Sequence, residues 1–259
     1  FAAIHAHIPP LRMSSRAAPG GFLAMMMPII PADFVGQLEA SNELPYLLIT
    51  AGRTDQIVGW PDKLEFAQAL REEKRAFTLY WDLRNHDGTF SAEPPANLSG
   101  PAVRWGRNPG WPEMSVVTFS RKQSFPAFDA FSLDNDPGTV NFATRPNQRP
   151  AWDTPGAGDF VGSFNGALDW DRDTIVDRPD RWEITLRLQS FAPAERATVN
   201  VTPRRLQQLR PQSGDAFLYE WRNGDVVKNG ETIADEHGLV TIRSVPVTRD
   251  GVRLTLQRR

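Results

Sequence analysis

The chain has 259 residues, enough for one large domain or two ordinary ones, and its 40% hydrophobic and 23% charged content is typical of a globular protein. Its net charge of -2 gives no electrostatic reason to expect nucleic acid as a partner, and no apolar stretch reaches the roughly 20 residues that span a bilayer. Without cysteine, the chain has neither thiol nucleophiles nor cysteine metal sites.

The first 42 residues contain a strand signal followed by a segment without a clean period. Residues 1–8 form an apolar run typical of a buried strand, and two prolines end it. Within residues 11–42, the adjacent Met25, Met26 and Met27 would face every side of a helix, so part of this segment must contact something apolar. We expect core packing or, alternatively, one wall of a substrate pocket.

The next segment has the most regular pattern of the chain. Residues 44–50 are a continuous apolar run, as expected for a strand buried on both faces of a parallel sheet. Pro61 suits the first turn of a helix, whose apolar residues recur at helical spacing as far as Glu72. Residues 76–81 then supply a second strand. A strand, helix and strand in this order predict a crossover unit with two parallel neighbouring strands.

Candidate catalytic residues follow both of these strands. An open parallel sheet binds ligands at the carboxyl ends of its strands, where Asp55 and His86 both fall. An acid that holds one imidazole nitrogen fixes the tautomer, and the other nitrogen can then take a proton from a nucleophile. Taken singly, Asp55 is also explained as a helix-capping or turn residue and His86 as a surface loop residue. Trp60, five residues after Asp55, is a further candidate for a residue that lines the substrate pocket.

This arrangement resembles the carboxy-terminal part of α/β-hydrolases, especially the prolyl-oligopeptidase-like peptidases and esterases. In that family, an acid follows a late strand in a Gly-x-x-Asp-x-x-Val pattern, and a histidine follows the final strand about 30 residues later. The matching residues are Gly52, Asp55, Val58, His86 and Gly88. The resemblance covers about the first 90 residues. It implies hydrolysis of an ester or peptide bond, with Asp55 orienting His86 as general base and acid, and it implies no metal or organic cofactor.

The nucleophile of that family does not appear in the sequence. Its Gly-x-Ser-x-Gly turn occurs nowhere in the chain, and Gly162-Ser163-Phe164-Asn165-Gly166 places the serine at the wrong position. Ser14 and Ser15 lack the flanking glycines. We therefore expect a fragment or processed half of a hydrolase, whose partner is a missing or separate amino-terminal segment that carries the serine. A hydrolase with an attached sandwich domain also favours a secreted or periplasmic protein.

The second half of the chain has the pattern of antiparallel strands. Residues 91–112 are rich in Pro, Gly, Asn and Ser, which indicates a linker or strap. Beyond them, hydrophobicity alternates with a period of two, as in residues 182–188. The predicted architecture is α/β followed by all-β: part of an α/β-hydrolase sheet over residues 1–90, the linker, and a β-sandwich over residues 113–259. Further strands are predicted at residues 114–119, 160–164, 197–201, 216–221, 239–242 and 252–256.

Other polar and aromatic groups have two explanations each. Four alternating acids could converge on calcium or, as we expect, form turns: Asp169, Asp171, Asp173 and Asp177. The tryptophans of this half could stack on sugars, but we expect them in the core. They are Trp105, Trp111, Trp152, Trp170, Trp182 and Trp221. We expect His5 and His7 in the core or lining a pocket, and His237 in a turn.

The alternative to a hydrolase is a non-catalytic module whose sandwich binds a polymer or a partner.

Overall fold

A computed structural model describes residues 3–7, 43–55, 59–83, 122–142 and 154–259. This part of the chain is rich in β-strand and contains one α-helix, α1 (Trp60–Glu72). The strands are β1 (Ala3–His7), β2 (Tyr46–Gly52), β3 (Phe77–Asp82), β4 (Phe125–Asp129), β5 (Gly162–Phe164), β6 (Leu168–Asp177), β7 (Arg181–Leu188), β8 (Arg196–Arg204), β9 (Ala216–Asn223), β10 (Val226–Ile233), β11 (Ile242–Thr248) and β12 (Val252–Arg258).

The first sheet contains four described strands in the order β1-β2-β3-β5. β1 pairs with β2 in parallel, and β2 pairs with β3 in parallel, with Leu47 opposite Phe77 and Gly52 opposite Asp82. Helix α1 connects β2 to β3, as in a crossover unit. Both strands are buried along almost their whole length, which explains their nearly continuous apolar sequences. β5, from the second half of the chain, pairs antiparallel with β3 and extends the same sheet.

Helix α1 covers one face of this sheet. Its N-cap is Gly59, Pro61 lies in its first turn, and the backbone N–H groups of Glu73 and Lys74 donate to carbonyls of its last turn. The apolar residues on its buried face pack against side chains of β2 and β3. The buried residues of α1 are Trp60, Lys63, Phe66, Ala67 and Leu70. Lys63 is therefore a charged side chain on the face of the helix that contacts the core.

Two antiparallel sheets form the rest of the described fold, with strand orders β10-β9-β12-β7-β6 and β11-β8-β4. Apolar side chains from both sheets form one hydrophobic cluster, as predicted for a sandwich-like arrangement. Trp170 and Trp182 are buried in this cluster, and Trp221 packs against it while partly exposed. The core placement expected for the tryptophans is therefore confirmed for Trp170 and Trp182, whereas Trp221 lies at the margin of the core. Trp105, Trp111 and Trp152 lie outside the described residues.

Four strands of the second half follow the predicted hydrophobic pattern, whereas β4, β6 and β10 were not predicted. The strands predicted at residues 182–188, 197–201, 216–221 and 252–256 correspond to β7, β8, β9 and β12. The strand predicted at residues 239–242 was wrong, because β11 begins only at Ile242, after a turn at Gly238 with a φ of 74°. The strand predicted at residues 114–119 lies outside the described residues.

All four of the alternating acids lie within β6, so the prediction that they form turns was wrong. Asp169 forms an ion pair of 2.8 Å with Arg187 on the neighbouring strand. Asp171 accepts a hydrogen bond of 3.0 Å from the backbone N–H of Asp173, where the register of β6 and β7 is irregular. Asp177 accepts backbone hydrogen bonds from the chain that follows β8. These bonds satisfy the carboxylates within the protein.

The close contact between Gly230 and Tyr219 leads to a stability prediction. The two residues are directly opposite each other on β10 and β9, and a Cβ atom at Gly230 would overlap the Tyr219 ring. We expect Gly230→Val to lower the free energy of unfolding by about 1–3 kcal/mol, because the ring must move out of its packed position. Urea denaturation measures this change. Asn229→Val, at an exposed position of the same strand, is the control, and equal losses for both variants would contradict the prediction.

Candidate active site

The segment that follows β2 is buried although three of its residues are polar. Arg53, Thr54 and Asp55 are 0%, 0% and 1% exposed, respectively. They follow the carboxyl end of a strand that is parallel to both of its neighbours. Asp55 therefore lies where the sequence predicted it, just beyond the carboxyl end of a parallel strand, which is the edge at which open parallel sheets commonly bind ligands.

Two hydrogen bonds connect this segment to the segment after β3. The backbone N–H of Arg53 donates to the carbonyl of Asp82 at 2.7 Å, and the Thr54 hydroxyl donates to the carbonyl of Leu83 at 2.9 Å. His86 lies outside the described residues, three positions beyond Leu83, and three residues reach about 11 Å at most. The two segments are thus neighbours, while the Asp55–His86 contact itself stays a prediction.

Asp55 forms a buried ion pair with Lys63 of helix α1. The Lys63 ammonium donates to Asp55 Oδ2 at 2.9 Å and to the carbonyl of Gly52 at 2.9 Å, and both charged side chains are 0% exposed. Burial lowers the pKa of Lys63, while the adjacent Asp55 carboxylate acts in the opposite direction. Since the N-cap of α1 is Gly59, the explanation of Asp55 as the helix-capping residue was wrong.

Arg53 connects this edge of the sheet to the second half of the chain. Its guanidinium donates hydrogen bonds to four backbone carbonyls at 2.6 to 3.3 Å. The accepting carbonyls belong to Pro137, Val140, Ala157 and Asp159. We call residues 137–142 and 154–161 the covering loop, because they lie against the residues at the carboxyl ends of β2 and β3. Burial lowers the pKa of Arg53 to about 10, although Asp136 and Asp159 oppose this effect.

Aromatic side chains complete the contact between the covering loop and the sheet. The Arg53 guanidinium lies 4.5 Å from the centroid of the Trp60 ring and 5.0 Å from that of Phe142. The indole N–H of Trp60 donates to the carbonyl of Pro137 at 3.0 Å, and that of Trp81 donates to the carbonyl of Asp159 at 2.8 Å. Arg53 and two tryptophans thus fix the path of the covering loop beside Asp55.

The structure describes some of the predicted pocket residues. Trp60 is 0% exposed and lies against Trp81 with 5.7 Å between ring centroids, so its described contacts are with other groups of the protein. Met25, Met26 and Met27 lie outside the described residues. The backbone of His5 and His7 belongs to β1. His237 lies in an exposed turn, as predicted, and its N–H donates to Asp235.

Two functional candidates were missed in the sequence: Arg53 and Lys63. Lys63 is three residues from both Trp60 and Phe66, so it belongs to the apolar face of α1. An uncharged side chain is expected at such a position. A charge on such a stripe could have indicated a buried partner. Arg53 gave no comparable signal, because its acceptors are backbone carbonyls 84 to 106 residues away.

A separate cleft of about 440 Å³ opens on the sandwich-like part. It is lined by Lys122, Gln123, Ser124, Ile175, Asp177, Gln207 and Gln208. The lining is mostly polar, but the Asp177 carboxylate already accepts backbone hydrogen bonds, and the Ser124 hydroxyl accepts one from the Trp182 indole at 3.0 Å. Much of its polar lining is therefore engaged within the protein.

In comparisons with known proteins, no family model, curated protein or solved structure matches this chain. In the part of the chain that the structure describes, no helix is both long and apolar enough to cross a membrane. Within the same ranges, no three His, Asp or Glu side chains come together as a set of metal ligands.

Proposed function

We propose that this chain supplies the acid and the base of a serine-hydrolase triad, Asp55 and His86, on the carboxy-terminal part of an α/β-hydrolase sheet that precedes a β-sandwich. One observation carries the proposal. A buried acid follows the carboxyl end of a parallel strand, and hydrogen bonds hold its loop beside the segment that leads to His86. The resemblance of the Gly52-x-x-Asp55 pattern to the hydrolase pattern supports the same assignment.

The reaction in this proposal is the hydrolysis of an ester or peptide bond. His86 takes the proton of the serine hydroxyl as its oxygen attacks the carbonyl carbon, and then gives that proton to the departing alcohol or amine. Water repeats the sequence on the acyl-enzyme, with His86 again as base and then acid. Asp55 holds the imidazole in the required tautomer and stabilises the imidazolium. These steps need neither a metal nor an organic cofactor.

The nucleophile belongs to a polypeptide segment outside these 259 residues, since no Gly-x-Ser-x-Gly turn occurs among them. That segment is the partner that the proposal requires. The covering loop comes from the second half of the chain and contacts Arg53, two residues before Asp55, so we assign to it one boundary of the substrate site.

A fluorophosphonate, which reacts covalently with activated serines, tests this function in the intact protein that carries the chain. We expect an adduct on one serine within a Gly-x-Ser-x-Gly turn, identified by mass spectrometry of the digested protein. His86→Ala should abolish the adduct, because the serine loses its base. His237→Ala, which removes an exposed turn histidine, should leave labelling unchanged. Without an adduct, or with equal labelling of the His86→Ala variant, the proposal fails.

The 440 Å³ cleft favours a second candidate, a non-catalytic module that binds a hydrophilic polymer. Calorimetric titration of the protein with soluble polysaccharides tests this function. Lys122→Ala combined with Gln208→Ala should weaken any binding at the cleft, whereas Asp225→Asn, at an exposed turn, should not. If the double variant and the wild type bound the polysaccharide with equal affinity, the polymer would bind outside the cleft, and the cleft would no longer support this second function.

A further inference from the structure

We infer that Lys63 is a positioning residue that fixes the orientation and the charge of the Asp55 carboxylate for catalysis. This inference rests on the proposed triad, and it assigns a role to a helix residue that does not belong to the triad itself. A residue of this kind acts through Asp55 and does not touch the substrate.

The contacts of Lys63 hold the first part of the loop that carries the acid, from Gly52 to Asp55. One ammonium group bonds the carbonyl of Gly52, where β2 ends, and the Oδ2 atom of Asp55, each at 2.9 Å. The segment between these two acceptors is therefore fixed to the first turn of α1. A carboxylate that is held at one oxygen by a buried donor loses most of its freedom to rotate, so its direction is set before any substrate binds.

The charge of Lys63 matters as much as its hydrogen bonds. Removal from water disfavours an ionised carboxylate, whereas a cation within hydrogen-bonding distance favours it. With both side chains 0% exposed, Lys63 supplies that cation to Asp55. An ionised acid is what the triad requires, because it stabilises the imidazolium only through its negative charge.

The Lys63 ammonium also lowers the affinity of the proposed His86 imidazole for a proton. A positive charge beside Asp55 opposes the protonation of a nearby imidazole, so Lys63 makes His86 less basic than Asp55 alone would. Other charges act on Lys63 as well: Asp62 on its own helix and Asp82 at the end of β3 both favour its protonated form. Arg53 belongs to the same segment, and its guanidinium bonds the covering loop. While Asp55 remains ionised, as the triad requires, removal of the Lys63 charge makes the imidazole more basic. A variant in which Asp55 instead takes up a proton would show the opposite shift, and both shifts differ from the unchanged titration of a purely structural ion pair.

A purely structural ion pair makes a different prediction from a positioning residue. If Lys63 only attached α1 to the loop, its loss would lower stability and leave the properties of the remaining folded molecules unchanged. If Lys63 sets the direction and the charge of Asp55, its loss alters the turnover number and the pH profile of each folded molecule.

The test compares three variants of the intact protein: Lys63→Met, Lys63→Gln and Lys63→Arg. For each variant, kcat and KM for an ester substrate are measured between pH 5 and 9. The assay temperature is kept well below the melting temperature of every variant. For Lys63→Met we expect kcat to fall about tenfold to a hundredfold, with KM nearly unchanged. Losses of this size are typical when a residue that orients a metal-binding side chain is removed. The acidic limb of the profile should move to higher pH. Lys63→Gln keeps a hydrogen-bond donor without the charge, so it should show the same movement with a smaller loss in kcat. Lys63→Arg should return the profile toward that of the wild type.

The imidazole titration gives a second readout that does not depend on turnover. The chain contains four histidines, so selective labelling of histidine gives a sparse NMR spectrum in which His86→Ala identifies one signal. The titration midpoint of that signal should rise in Lys63→Gln. A wild-type pH profile and midpoint in Lys63→Met and Lys63→Gln, with only a lower melting temperature, would overturn the inference and leave the triad intact. Full activity of His86→Ala would instead remove the triad itself.

Discussion

His86→Ala is expected to lower the kcat of the intact protein toward activated esters by about 10⁴-fold or more, because a triad without its base keeps only the contribution of substrate binding and oxyanion stabilisation. KM should change little. The control is His237→Ala, which removes another of the four histidines from an exposed turn and should leave kcat within about twofold of the wild type. Near-normal hydrolysis by His86→Ala would rule out the catalytic assignment of this residue.

Asp55→Asn should give a smaller loss in kcat, combined with a loss in stability. The catalytic loss follows from the wrong imidazole tautomer. The stability loss follows from the Lys63 ammonium, which is 0% exposed and would lose its charged partner; removal of one member of a buried pair costs about 3–5 kcal/mol. His86→Ala should leave the Asp55–Lys63 pair in place, so a comparison of kcat and melting temperature for the two variants separates catalysis from stability. Asp225→Asn, at an exposed turn, serves as the control.

Arg53→Met is expected to lower the free energy of unfolding by about 3–5 kcal/mol, because several buried backbone carbonyls lose their hydrogen-bond donor at once. Chemical denaturation measures this loss. Hydrogen exchange should show faster exchange at the amide of Ala157 in the covering loop, which gives a local readout of the same event. Equal protection of this amide in the variant and the wild type would contradict the role of Arg53 in holding the loop.

Arg53→Lys should recover little of that stability. A lysine ammonium has three donors on one atom and cannot reproduce the planar group that bonds four carbonyls and lies between Trp60 and Phe142. Arg222→Met is the control, because Arg222 forms an exposed ion pair with Glu220, and such pairs contribute about 0–1 kcal/mol. If Arg53→Lys were as stable as the wild type, the planar shape of the guanidinium would not contribute to the stability of this contact.

The covering loop gives the second half of the chain a part in the proposed active site. It is held against Arg53 and Trp60, both close in sequence to Asp55, and β5 follows it directly and pairs with β3. A change in this loop should therefore alter substrate selection without altering the triad. The sandwich-like part is thus structurally connected to the sheet that carries the acid, whether or not it also binds ligands of its own.

Local periodicity by itself determined several elements of this protein. Apolar runs and helical spacing indicated β2, α1 and β3 in order, and alternation indicated β7, β8, β9 and β12. These predictions succeeded because the burial of a regular strand or helix repeats every two or every 3.6 residues, which a single sequence records. The position of Asp55 at the end of β2 followed from the same local pattern. The start of β11 did not, because the turn at Gly238 depends on a backbone conformation that hydrophobicity does not encode.

Only the tertiary structure decided which groups meet at the candidate site. The ion pair of Asp55 with Lys63, the four carbonyls around Arg53 and the pairing of β5 with β3 all join parts of the chain whose approach depends on its path in space. Backbone carbonyls are present at every residue, so the sequence gives no sign of which ones a buried arginine will bind. The sequence therefore placed Asp55 at the end of β2, and the fold selected the lysine that pairs with it and the loop that contacts the neighbouring Arg53.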